Sequence, residues 1–188
     1  MKYLLNGHKS ERLDFRLLDD GDFDAWLPLM ENEDAIRFLG LGKMKSAHER
    51  CEFWFNKMRY RYDNDLGGMN VLVERSSGTF IGQCGLLVQD IDGERELEIG
   101  YSILPKHWNK GFASEAARKC RDVAFENDYA PSIISITHAE NTRSQRVALN
   151  NGMTLEKETF FLEVPVKVFR IKREDWTVLN LNLASPKK

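Results

Sequence analysis

The sequence predicts an α+β domain: a mixed, mostly antiparallel sheet of about seven strands with helices on both faces, in the order β-α-α-β-β-β-α-β-α-β-β. Two compact turn signals, Ser76-Ser77-Gly78 and Asp92-Gly93, separate three strand-like runs and so make an antiparallel meander. The last of these runs alternates, with Leu97, Ile99, Tyr101 and Ile103 on one side and Glu96, Glu98, Gly100 and Ser102 on the other, as a half-buried strand does. A helical stripe follows, Phe112, Ala113, Ala116, Ala117, Cys120, Val123 and Ala124, and then a short apolar run from Ile133 to Thr137. Because a helix intervenes, that run joins its neighbour in parallel.

From the N-terminus, Leu13 to Leu18 reads as the first strand, closed by Asp19-Asp20-Gly21. Phe23, Trp26, Leu27 and Met30 mark one face of a short helix, and Gly40-Leu41-Gly42 breaks the pattern. Ser46 and Glu49 form a capping box for a second helix, Ala47 to about Tyr62, whose Phe53, Trp54, Phe55, Met58, Tyr60 and Tyr62 exceed what one buried stripe holds. Gly67-Gly68 reads as its closing turn, followed by strands at Met69 to Glu74 and Phe80 to Gln89; Gly82 and Gly85 in the latter point to a bulge or a close backbone neighbour. Further on, Thr142 and Gln145 fit a capping box for a helix to Asn150, with Asn151-Gly152 as its stop. Two strands, Thr154 to Val164 and Val166 to Arg173, finish a single domain over residues 1–180, and 181–188 reads as a disordered tail.

Composition narrows the class. A net charge of −2 with 42% hydrophobic residues gives no general affinity for nucleic acid or anionic membranes. No apolar run reaches the length of a membrane span, and the N-terminus lacks a signal-peptide core. Cys51, Cys84 and Cys120 are widely spaced and form no CxxC pair, so a reduced, cytoplasmic protein is expected, as a monomer or homodimer. No metal is expected either: His138-Ala139-Glu140 lacks the Pro-Cys-x-x-Cys of zinc deaminases. A Gly-x-Gly-x-x-Gly turn and a Gly-x-Ser-x-Gly elbow are also missing, which excludes a dinucleotide-binding domain and a serine hydrolase of that type.

The segment Lys106 to Ser114 is strand end, basic turn and helix start. Helix-start amides have no intrahelical partner, so Asn109, Lys110, Gly111, Phe112, Ala113 and Ser114 form a candidate anion cradle, with Lys106, His107 and Lys110 supplying charge. Any βα turn of this length needs the same small residues, so the spacing alone leaves both readings open.

With LEIGYSILPKHWNKGFASEAA and NTRSQRVALNNGM, the chain resembles the GNAT superfamily of N-acetyltransferases over about residues 13–173, and most the branch that acetylates ribosomal-protein N-termini. The resemblance implies acetyl-CoA as co-substrate, an amine acceptor as partner, and a splay between the fourth and fifth strands that admits the cofactor. It places the pyrophosphate on the turn from Trp108 to Ala113, the pantetheine arm along the strand edge at Tyr101, Ile103 and Leu104, and a hydrogen bond to that arm at Asn141, which is equally suited to cap the following helix. Asn109 stands where the family usually has glycine, and Ala148 where many members carry the tyrosine that protonates the thiolate. Ser144 matches the serine proposed for that task in this branch, and Glu98 is the candidate base, with Glu96 a rival on the same strand face. Arg143 and Arg146 are either contacts of the 3′-phosphate or solvated surface. The expected activity is acetyl transfer to a protein or peptide N-terminus; a small amine acceptor and a non-catalytic acyl-CoA-binding module are the alternatives.

Overall fold

A computed structural model describes residues 2–41 and 44–184. Seven strands lie in one sheet in the order β1-β2-β3-β4-β5-β7-β6, with ranges β1 Leu13–Arg16, β2 Gly67–Glu74, β3 Phe80–Ile91, β4 Glu94–Ile103, β5 Ser132–His138, β6 Thr154–Phe161 and β7 Val164–Lys172. Every neighbouring pair is antiparallel except β4–β5, as the intervening helix requires. Helices α1 (Phe23–Glu31), α2 (Glu33–Ile36) and α3 (Ala47–Asp63) cover one face; α4 (Phe112–Glu126), α5 (Thr142–Asn150) and α6 (Arg173–Ala184) cover the other.

Each face has its own core, because strand residues alternate sides. Leu97, Ile99 and Ile103 of β4 pack with Phe112, Ala116, Ala117 and Cys120 of α4. Leu87 and Met69 pack with Trp26, Met30, Trp54 and Met58 of α1 and α3. Between the layers the sheet holds buried Asn70, whose Oδ1 accepts the Leu5 amide at 3.0 Å and ties the N-terminal segment down. Gly85 marks a close approach: a Cβ there would lie 2.0 Å from the Gly68 carbonyl oxygen.

Several expectations need correction. Gly67-Gly68 is not a turn but the start of β2, paired with Leu87 and Leu86. Helix α2 is additional; Asn32 leaves the helical conformation (φ −89°, ψ 110°) and caps the next turn by accepting from the Ala35 amide at 2.9 Å. α3 begins as expected, with Ser46 Oγ accepting from the Glu49 amide at 3.1 Å, but Glu49 reaches back to the amide of Lys45. Of its aromatics, Trp54 and Phe55 are buried with Met58, whereas Phe53 and Tyr60 point outward. At the C-terminus the strand ends at Lys172 and α6 follows, so residues 181–184 are helical rather than a disordered tail. Gly42 and residues 185–188 lie outside the described residues.

Candidate active site

The sheet comes apart at its centre. β4 and β5 share a single paired position, Glu98 with Ile134, and beyond it they diverge toward Ile103 and His138. Side-chain hydroxyls bridge the gap where the ladder stops: Ser135 Oγ donates to the Ile99 carbonyl at 3.2 Å, and Tyr101 Oη donates to the Ser144 carbonyl at 2.7 Å. The Leu104 amide donates to Ile81, so even-numbered residues of β4 turn their peptide groups to β3 and odd-numbered ones turn theirs into the splay. This shortens the expected edge. Leu104 is buried in the α1–α3 core with its amide spent, and the Ile103 carbonyl accepts the Trp108 indole N–H at 2.7 Å. The Tyr101 peptide group and the Ile103 amide remain facing the gap.

At the open end of the splay stands the basic turn. Asn109 takes a left-handed conformation (φ 60°) and Gly111 another (φ 83°), which together fold the chain back into α4. No side chain caps α4, in contrast to α3 and α5, so its first-turn amides are left for an external acceptor. Phe112 contributes backbone only, since its ring is buried, and Ala113 and Ser114 are half-buried beside it. Lys106 and Lys110 are exposed. His107 does not supply charge as expected: burial, then Lys106 and Lys110, push its pKa down. Arg12 does, from 98 residues away; its Nη1 donates to the Lys110 carbonyl at 3.1 Å, its Nε to Glu115 at 2.6 Å, and its guanidinium lies over the Phe112 ring. Arg143 stacks on Trp108, 4.3 Å from the ring centroid, and so links the α4 and α5 termini across the mouth.

On the opposite, α1–α3 side of the sheet, Glu98 sits at the throat, only 8% exposed. Burial pushes its carboxyl above the usual carboxylate range; hydrogen bonds from Gln89 Nε2 (2.7 Å) and the Ile136 amide, and the charges of Arg61 and Lys57, pull back. Glu96 is different: Arg170 grips it through both guanidinium nitrogens, at 2.6 and 3.1 Å, which occupies the lone pairs a base would need.

An anion-ready turn, a split sheet and a buried carboxylate at the split thus occur on one strand–turn–helix unit. The family model for the acetyltransferase (GNAT) domain matches residues 12–154. The chain belongs to the GNAT family of acetyltransferases. Among curated relatives, the uncharacterized protein YkkB of Bacillus subtilis (strain 168) is 29% identical over 168 residues, 87% of this chain and 94% of YkkB. The crystal structure of an acetyltransferase from Agrobacterium tumefaciens str. C58 superposes with a TM-score of 0.75 at 25% identity, covering 91% of this chain and 96% of that one. The same fold, at lower identity, occurs in spermidine N-acetyltransferase from Vibrio cholerae in complex with CoA and spermine (TM-score 0.69, 21% identity, 88% and 98% covered) and in the RimL ribosomal L7/L12 α-N-protein acetyltransferase in complex with coenzyme A (0.70, 15%, 90% and 97%).

In this GNAT domain most of the residues singled out from sequence border the splay, while Leu104 is turned into the α1–α3 core. Asn141 is the cap of α5, its Oδ1 accepting from the Ser144 amide at 3.1 Å, so the Thr142–Gln145 box does not form; Gln145 Nε2 instead donates to the Ala139 carbonyl at 2.8 Å. Ser144, in the first turn, directs its hydroxyl to Tyr101 Oη at 3.1 Å. Arg12, Gln89 and Ser135 were not legible, because each reaches the site through strand pairing or helix packing rather than through a local motif. Among the described residues no helix is long and apolar enough to cross a membrane.

Proposed function

We propose that this GNAT domain transfers the acetyl group of acetyl-CoA to the α-amine of a peptide or protein N-terminus, by direct attack within a ternary complex. The observation that carries the reading is the throat of the splay, where a buried carboxylate with a raised pKa, Glu98, lies at the single β4–β5 pair on the face opposite the basic turn. In this reading the amides from Asn109 to Ser114 hold the pyrophosphate, with Lys106 and Lys110 adding charge and Arg12 steadying the turn. The Tyr101 peptide group and the Ile103 amide pair with the amide-rich arm and supply an N–H for the oxyanion. Trp108 and Leu104 shape the turn, one by its indole bond and one from the core.

Glu98 takes the proton of the attacking ammonium, directly or through one water, and its raised pKa keeps it a competent acceptor. Ser144 donates to the departing sulfur. An α-amine, with a pKa of about 8, is roughly a tenth neutral at pH 7, so one carboxylate suffices as base. Arg61 and Lys57, which act on Glu98 from α3, make its surroundings unfavourable to a polycation. An acceptor panel read by thiol release tests the whole reading: activity on peptides with free α-amines above that on spermidine and on N-blocked, lysine-containing peptides is expected. Turnover on polyamines alone would replace the acceptor class, and acetyl-CoA binding with no acceptor turned over would leave a binding module.

A further inference from the structure

Ala148 of α5 is buried beside the splay and has no group to donate, yet a phenol packed against the same core does, that of Tyr101. Tyr101 rises from β4 on the α4–α5 face and joins a hydroxyl network: its O–H donates to the Ser144 carbonyl at 2.7 Å, Ser144 Oγ donates to Tyr101 Oη at 3.1 Å, and the Ser135 hydroxyl of β5 is a further partner of the phenol. The Ser144 amide is held in turn by Asn141, so the serine is fixed from three directions. Both residues are half-buried and stand where backbone pairing between β4 and β5 has ended.

We propose that Tyr101 is a positioning residue for acetyl transfer: it holds the Ser144 hydroxyl at the throat of the splay and polarises it, so that the two hydroxyls act together on the departing sulfur. This rests on the reading of Ser144 given above. In the structure Ser144 Oγ donates to Tyr101 Oη. As the nitrogen–carbon bond forms and the carbon–sulfur bond breaks with its electron pair moving to sulfur, the serine O–H turns to the sulfur, and the phenol O–H turns from the Ser144 carbonyl to Ser144 Oγ. A chain of two like-directed donors polarises more strongly than one. Burial pushes the Tyr101 pKa up to about 12, so the phenol stays protonated throughout and no net charge is left on the pair. The pair keeps both of its protons and hydrogen-bonds the departing thiolate; the thiolate takes its final proton from solvent, which balances the one the acceptor nitrogen releases to Glu98 and on to solvent.

Tyr101→Phe keeps the ring in the α4–α5 core and removes only the hydroxyl. With Ser144→Ala and the double variant it forms a cycle with two readouts. In kinetics with acetyl-CoA, Tyr101→Phe is expected to lower kcat about 10-fold while KM for acetyl-CoA stays within about threefold, and the double variant should be no slower than Ser144→Ala alone. In thermal melts of the unliganded protein the two substitutions should be non-additive, since each removes the same hydroxyl contact. Wild-type kcat in Tyr101→Phe, multiplicative losses in the double variant, or additive melting shifts would each overturn the pairing. The failures are distinguishable: if Ser144→Ala alone turns over like wild type, the role of Ser144 falls and this inference falls with it. If Ser144→Ala is slow and Tyr101→Phe is not, only the present inference falls.

Discussion

Glu98, proposed above as the base, is also a residue whose burial opposes stability at neutral pH. Its carboxyl pKa is raised in the fold by burial, so the folded protein holds this proton more tightly than the unfolded chain, whose carboxyl titrates near 4.5. The sign follows: the stability linked to Glu98 is present at acid pH and is lost as pH climbs from the ordinary carboxyl range through the raised value. Glu98→Gln keeps the shape and removes the ionisation, and is expected to melt above wild type at neutral pH, with the gap closing below about pH 4. The same variant should turn over about 100-fold more slowly at neutral pH and recover in part as pH approaches the amine pKa. A variant with unchanged melting and unchanged rate would remove Glu98 from the site. Glu96→Gln makes the contrast, since it breaks the bidentate grip of Arg170; it should cost stability and leave the pH profile of turnover in place.

At the level of elements, the start of α4 depends on one conformation. Gly111 has φ 83°, a left-handed conformation that strains any side chain before its chemistry is felt. Gly111→Ala is expected to cost about 1 kcal/mol of stability and to weaken acetyl-CoA binding only slightly, whereas Gly111→Glu adds a carboxylate against the phosphate cradle and should abolish it. Calorimetric titration of both variants separates strain from charge; equal affinities would place the pyrophosphate elsewhere. This element was legible because its signals are local: alternation along β4, a basic turn, a small-residue stripe. What escaped is either too short to show a period or dependent on distant partners. α2 is one turn long and set by Asn32, and the α6 sequence, with leucine and asparagine alternating near its end, carries no clear helical stripe. The Tyr101–Ser144 contact spans 43 residues and exists only because α5 docks across the splay.

For the molecule as a whole, α6 is a clamp rather than an appendage. Trp176 packs on Phe125 with ring centroids 5.4 Å apart and donates its indole N–H to Asp122 at 2.8 Å, while Arg173 donates to the Phe125 carbonyl at 2.6 Å, so the C-terminal helix secures the far end of α4. Trp176→Ala should cost about 3 kcal/mol by melting or denaturant titration, with acetyl-CoA affinity retained by whatever fraction stays folded. The single rung at Glu98–Ile134 has a larger consequence. It makes the protein two half-sheets, one of four strands and one of three, that lack a shared ladder over the outer part of their seam. In the proposed binding mode an extended, amide-bearing ligand lying in that seam would act as an eighth strand joining the two halves. Amide exchange should report this directly: saturating coenzyme A should slow the Tyr101 and Ile103 amides far more than those of β2, and the melting temperature should climb with the logarithm of coenzyme concentration once the seam is filled.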